Sequence, residues 1–151
     1  MPSKRTNKLV VSLFVLAVAG CAGQQAEPGG KAGGGAAGLK ERAAAMGQLK
    51  NIGYAYAMAV ASGRPPKNLD ELKEWSESNQ AIFKAARDQQ PFEIVWNVDP
   101  GKLATPTTET LLAWEKTADE KGGRCVLMAD CSTVVRLSKD AFDSAPRAKG
   151  K

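Results

Sequence analysis

Apolar and polar positions along this chain change period, and each change marks an element. Ala45, Leu49, Ile52, Tyr56 and Ala59 follow one another at steps of four and three, the spacing of one helical face. Met46, Gly53 and Val60 widen that stripe, while Lys40, Glu41, Arg42, Gln48, Lys50 and Asn51 occupy much of the rest. Gly63 and then Pro65-Pro66 stop the pattern, so the spacing predicts a helix over residues 39–63. Ala43-Ala44-Ala45 and Gly53 give it low relief, which suits close packing on a sheet. A short helix is predicted from Leu69 to about Ser76, with Asn68 and Glu71 as a capping box. Ala81 to Arg87 reads as a further helical turn or two.

Downstream the period becomes two. Phe92, Ile94, Trp96 and Val98 alternate with Glu93, Val95 and Asn97, a strand pattern ending at the turn Asp99-Pro100-Gly101. Thr110 to Glu115 is apolar on both faces and reads as a central strand. Lys116 to Gly123 is a polar loop. Arg124–Ala129 and Thr133–Leu137 flank Asp130-Cys131-Ser132 so closely that they predict an antiparallel hairpin. Ser138-Lys139-Asp140 opens a last helical turn that Pro146 ends, and residues 147–151 are expected to fray. Helices first and strands later imply an α+β fold, a long N-terminal helix on a small antiparallel sheet of about four strands.

The N-terminus has a different character. Lys4, Arg5 and Lys8 precede an apolar run from Leu9 to Val18. That is the layout of a secretory leader, and the run is shorter than the ~20 residues that span a bilayer. Leu16-Ala17-Val18-Ala19-Gly20-Cys21 resembles the lipobox of bacterial lipoproteins. The resemblance implies cleavage before Cys21, covalent lipid (palmitate and related acyl chains) on Cys21, and attachment to a membrane facing the periplasm. Ala22, rather than Asp, implies the outer membrane. Residues 22–38 are mostly Gly and Ala and hold no residue able to build a core. Seventeen such residues span roughly 20–25 Å as a coil. The chain divides into a leader (1–20), a lipidated cysteine and linker (21–38), a domain (39–146) and a basic disordered tail (147–151).

The domain has its own resemblance. Gln48-Leu49-Lys50-Asn51-Ile52-Gly53, Gly63-Arg64-Pro65-Pro66 and Leu69-Asp70-Glu71-Leu72 look like the helix end and following loop of type II secretion pseudopilins. Leu112-Ala113-Trp114-Glu115 and Gly122 to Asp130 resemble a prepilin-like C-terminal signature of a His, nine residues and Asp-Gly. Here Glu120 stands at the His position and Cys131 at the Gly position; Asp130 matches. The resemblance implies a pilin-like head. The lipobox and linker replace the prepilin cleavage site and its hydrophobic helix, so fibre assembly does not carry over.

Composition narrows the chemistry. The chain has 151 residues, a formal charge of +5 and no histidine. Catalytic triads, Cys-His pairs and HExxH metal sites are excluded. The charge is an envelope of the ends: Lys4, Arg5 and Lys8 fall in the leader, and Arg147, Lys149 and Lys151 in the last five residues. Between them, residues 39–146 hold 14 basic and 15 acidic residues. With no phosphate loop or basic-aromatic array, nucleic acid is not an expected partner. No ordered catalytic constellation is present, and the expectation is a protein that is not an enzyme.

Three groups of side chains remain to be placed. Cys125 and Cys131 form an even pair in an oxidising compartment, open to a disulfide. A two-residue turn at Asp130-Cys131 would instead set Cys125 opposite Arg136, leave two thiols, and put Cys131 where Gly is usual. Asp119, Glu120 and Asp130 would form a hard oxygen site for Ca²⁺ if the 116–123 loop folds over the hairpin; the other reading is a solvated loop and a turn aspartate. Trp75, Trp96 and Trp114 are either a ligand platform or core. The function expected is a membrane-anchored, non-catalytic structural or interaction module with an envelope or secretion protein as partner. The alternative is an accessory solute- or calcium-binding lipoprotein.

Overall fold

The computed structural model describes residues 36–76 and 80–150; the leader, Cys21 and most of the linker lie outside the described residues. Helix α1 runs from Ala36 to Ala61, three residues earlier than the pattern predicts. Its buried residues are Ala45, Leu49, Ile52, Gly53, Ala55, Tyr56 and Ala59, so the predicted stripe is the one that packs. Gly63 closes it with φ +78°. There Gly63 N–H donates to Val60 O at 2.9 Å and Arg64 N–H to Ala59 O at 3.0 Å, which satisfies carbonyls the helix would otherwise leave open. Helix α2 covers only Leu69–Lys73. Asn68 caps it, its Oδ1 accepting from Glu71 N–H at 2.9 Å, and the Glu71 carboxylate accepts in return from Lys67 N–H at 2.9 Å and from Asn68 Nδ2 at 3.5 Å rather than from the Asn68 backbone N–H. A 3₁₀ turn at Gln80–Phe83 and a tight loop follow.

Four strands form one sheet in sequence order, all antiparallel. They are β1 (Glu93–Ile94), β2 (Leu111–Trp114), β3 (Arg124–Met128) and β4 (Val134–Leu137). The α+β arrangement expected from the sequence, a long N-terminal helix with a four-stranded antiparallel sheet, is the one present. β2 is interior, as its apolar character on both faces requires. β1 is far shorter than the alternation over 92–98 implies. Asn97 adopts φ 55° and turns the chain away, its N–H donating to Pro66 O at 2.7 Å. Phe92 and Val98 are nevertheless buried, because the segment packs on α1. Tyr56 fastens it: its hydroxyl donates to Val95 O at 3.1 Å and accepts from Val98 N–H at 2.9 Å. Burial pushes that phenol up to about 12.

Each sheet face has its own core. Leu112, Cys125, Leu127 and Ala129 meet α1 on one side. On the other, Leu111, Val126 and Met128 meet Phe142 of α3 (Lys139–Ser144). The tail corrects the expectation of fraying. Leu111 N–H donates to Pro146 O at 2.8 Å and Ala148 N–H to Leu111 O at 2.9 Å, so Pro146–Ala148 fills the sheet edge that short β1 leaves open. Ala148 is buried, and a Cβ on Gly150 would lie 2.0 Å from Trp96 O.

Candidate functional site

The loop between β2 and β3 closes on Asp119. Asp119 N–H donates to Gly123 O at 2.7 Å and Gly122 N–H to Asp119 O at 2.8 Å, with Gly122 at φ +74°. The Asp119 carboxylate then accepts from Lys121 N–H and Gly123 N–H. Arg136, reaching over from β4, donates from Nε at 2.6 Å and from Nη2 at 2.9 Å, a bidentate geometry that gives strong charge-assisted bonds. A Cβ on residue 123 would sit 2.2 Å from Arg136 Nη2, so glycine there is what lets the guanidinium pass. Arg42 of α1 adds an ion pair at 3.9 Å. The Arg136 bonds, followed by the two backbone N–H groups, hold the Asp119 carboxyl well below the usual range against the effect of burial.

A second carboxylate lies beside the first. Glu115 is 1% exposed. Its Oε2 accepts from Cys125 N–H at 2.8 Å, and its Oε1 meets Arg87 Nη2 at 3.6 Å. Arg87 stands at the tip of a loop whose base is tied by Phe92 N–H to Phe83 O at 3.1 Å. Gln48 of α1 holds that loop by donating to Ala81 O and Lys84 O. Arg42, Arg87 and Arg136 therefore converge on Glu115 and Asp119, binding α1, the 83–92 loop, β2, β3 and β4 together. Sequence reasoning took Glu115 as the end of an apolar strand. An acid in such a strand demands a cation once buried, and that was the available signal.

The three acids expected to share a cation are apart in role. Asp119 is taken by Arg136. Asp130 is taken by its own turn, accepting from Ser132 N–H, Ser132 Oγ, Thr133 N–H and Thr133 Oγ1. Burial raises the Asp130 carboxyl, but these bonds outweigh it and hold the carboxyl below its ordinary value. Glu120 is exposed. Among the described residues no group of three or more Cys, Asp and Glu side chains is placed to hold a metal ion.

Cys125 and Cys131 are free and buried. The register pairs Cys125 with Arg136, four residues along the hairpin from the turn that holds Cys131, so the disulfide left open by the sequence is not formed. Cys131 takes φ 60° at the position where Gly is usual, with its N–H on Met128 O at 3.0 Å. Burial, with a neighbouring carboxylate in each case, pushes both thiols up to about 12. The tryptophans do not form a platform. Trp75 and Trp96 pack on the α1 side. Trp114 lies on the other face, edge-on to Phe142 at 5.8 Å.

What faces outward is the far side of α1. Leu39, Tyr54 and Met58 are 61%, 64% and 43% exposed, and Ala43, Ala44, Gly47, Ala57 and Ala61 lie exposed with them. The charged residues exposed on this helix are Lys40 and Lys50; its single acid, Glu41, is half-buried. Among the described residues no helix is long and apolar enough to cross a membrane. Compared with protein-family models, curated protein sequences and solved structures, the chain gives no match.

Proposed function

We propose that this is a bacterial envelope lipoprotein, acylated at Cys21 and held on the periplasmic side of the outer membrane, whose domain is a non-catalytic interaction module. The observation that carries the reading is the outer face of α1. One side of this 26-residue helix is buried on the sheet, yet its other side keeps three large apolar side chains in water. Tyr54 and Met58 stand one turn apart on that side, and apolar side chains left together in water mark contact surfaces. The near-neutral domain supports a protein partner of the envelope or of a secretion system over nucleic acid.

Anchor and contact are tested separately. Cys21→Ala should release the protein from membranes on fractionation; retention in the membrane would refute the anchor. A photo-crosslinking residue at Tyr54 should trap one discrete envelope partner in intact cells, and the same probe at Glu109 (exposed, remote from α1 in sequence) should not. Equal labelling from both positions, or none from Tyr54, would refute the contact surface.

A further inference from the structure

Where α1 ends, its last turn, the loop to α2 and the bend at Asn97 enclose an open groove. Its main part is about 450 Å³, lined by Gly63, Arg64, Lys67, Glu74, Trp75 and Asn97 among others. A recess of about 250 Å³ shares Gly63 and Asn97 and continues to Lys102. Pockets for small ligands fall at roughly 300–1,000 Å³.

The walls are fixed before any ligand arrives. Gly63 and Arg64 are bonded back into α1, and Pro66 O is held by Asn97 N–H at 2.7 Å. Lys67 N–H is held by Glu71 Oε2 at 2.9 Å. Asn97 holds its side of the groove with a left-handed backbone at φ 55°, a region that asparagine enters more readily than most residues. The charges sort unequally. Glu71 keeps its charge but turns it onto Lys67 N–H and Asn68 Nδ2, away from a cation, and Asp99 pairs with Lys102. Among the described residues, no carboxylate pairs with Arg64 or with the Lys67 ammonium, and no cation pairs with Glu74. Two uncommitted cations thus stand on one rigid loop, beside an indole and one uncommitted carboxylate.

We propose that this groove binds a small carboxylated saccharide. Arg64 and Lys67 receive the carboxylate. Trp75 and Pro65, both lining the groove, offer apolar surface to the C–H face of a sugar ring. Glu74 accepts from a hydroxyl or amide N–H. One aromatic wall among polar groups fits a ring with one apolar and one hydroxylated face, and a bare inorganic anion would leave Trp75 unused. The site lies within the domain and does not depend on acylation of Cys21.

The test uses the mature lipoprotein in detergent micelles, ¹⁵N-labelled, with the three indole N–H resonances assigned by single Trp→Phe variants. The probes are N-acetylmuramic acid, N-acetylglucosamine, which lacks the carboxylate, and inorganic phosphate. The Trp75 resonance should move saturably with N-acetylmuramic acid alone, with half-saturation at about 1 mM. The double variant Arg64→Gln, Lys67→Gln should bind about tenfold more weakly or worse. Both residues are exposed, and unmoved Trp96 and Trp114 resonances would show that the fold is intact. No saturable shift, an equal shift with N-acetylglucosamine, a Trp75 shift with phosphate alone, or unchanged affinity in the double variant would each overturn the proposal.

Discussion

Two glycines of α1 should respond to alanine in opposite directions. In a helix interior, Gly→Ala gains about 1 kcal/mol, because Ala loses less backbone freedom on folding. At Gly47 a Cβ would meet nothing within 4 Å, so Gly47→Ala should stabilise by about 0.5–1 kcal/mol. At Gly53 it would lie 2.3 Å from the carbonyl oxygen of Cys131 and 3.0 Å from Leu127 Cδ1. Ordinary C···O contacts begin near ~3.3 Å, so α1 and the hairpin must part by about 1 Å. Neither yields easily. The Cys131 carbonyl is backbone, in a turn held by Met128 O and by the four bonds to Asp130. Moving α1 loosens Leu49, Ile52 and Tyr56, all 0% exposed. Overpacking of this kind costs about 1–3 kcal/mol, sometimes more. At the upper end, less the helix gain, Gly53→Ala should destabilise by about 2 kcal/mol. Urea unfolding reads the difference: with m near 1–3 kcal/mol/M, the Gly53→Ala midpoint should fall by about 1 M while that of Gly47→Ala rises slightly. A Gly53→Ala midpoint at or above wild type would refute the close contact, since helix propensity would then govern both sites.

The charge network makes further predictions. Asp119→Asn should cost about 2–3 kcal/mol at pH 7 by thermal unfolding. Because the folded carboxyl titrates below its unfolded value near ~4, its stabilisation is present above that pH and is lost as pH falls through the folded value. The variant's stability should therefore change less than wild type's between about pH 4 and pH 2. Glu115→Ala should cost about 2–3 kcal/mol, since it leaves the buried Cys125 N–H without its acceptor and the half-buried Arg87 without its counter-charge, and Glu115→Gln should recover part of the loss by keeping an acceptor. Amide exchange should find the Ala148 N–H protected by its bond to Leu111 O; exchange at the rate of an open chain would restore the frayed tail. Cys125 and Cys131 should resist a thiol reagent at pH 8 in the folded domain and react once urea unfolds it, because burial holds both thiols up near 12.

The fold was legible where one element's burial is decided by its own period. The stripe of Ala45, Leu49, Ile52, Tyr56 and Ala59 is buried throughout, because sheet and helix meet along a single face. The hairpin was legible because its strands are adjacent and its centre fixes its register. The segment 92–98 shows the limit. Its alternation reported burial at Phe92 and Val98 truthfully, but burial there comes from Tyr56 and α1 rather than from a strand ladder. The tail shows the same limit from the other side. Nothing in Arg147-Ala148-Lys149-Gly150 asks for a partner, and the edge it fills exists only because Asn97 ends β1 early.

The acidic residues separate what is local from what is not. Asp130 has every partner within three residues, so Asp-x-Ser-Thr could have been read as a self-satisfied turn. Asp119 could be read only in part: Gly122 and Gly123 announce the tight loop, while Arg136 and Arg42 arrive from other elements. Whether such a carboxylate serves a metal or an arginine is decided across the fold, and here three guanidinium groups reach the space first. The outer face of α1 was the more readable clue. A helix side meant for water ordinarily mixes both signs of charge. Along α1, Lys40 and Lys50 have only the half-buried Glu41 to answer them, with Leu39 before them and Tyr54 and Met58 after. The shortage of acids along 39–61 is visible in the sequence, while the exposure of Tyr54 and Met58 had to come from the fold.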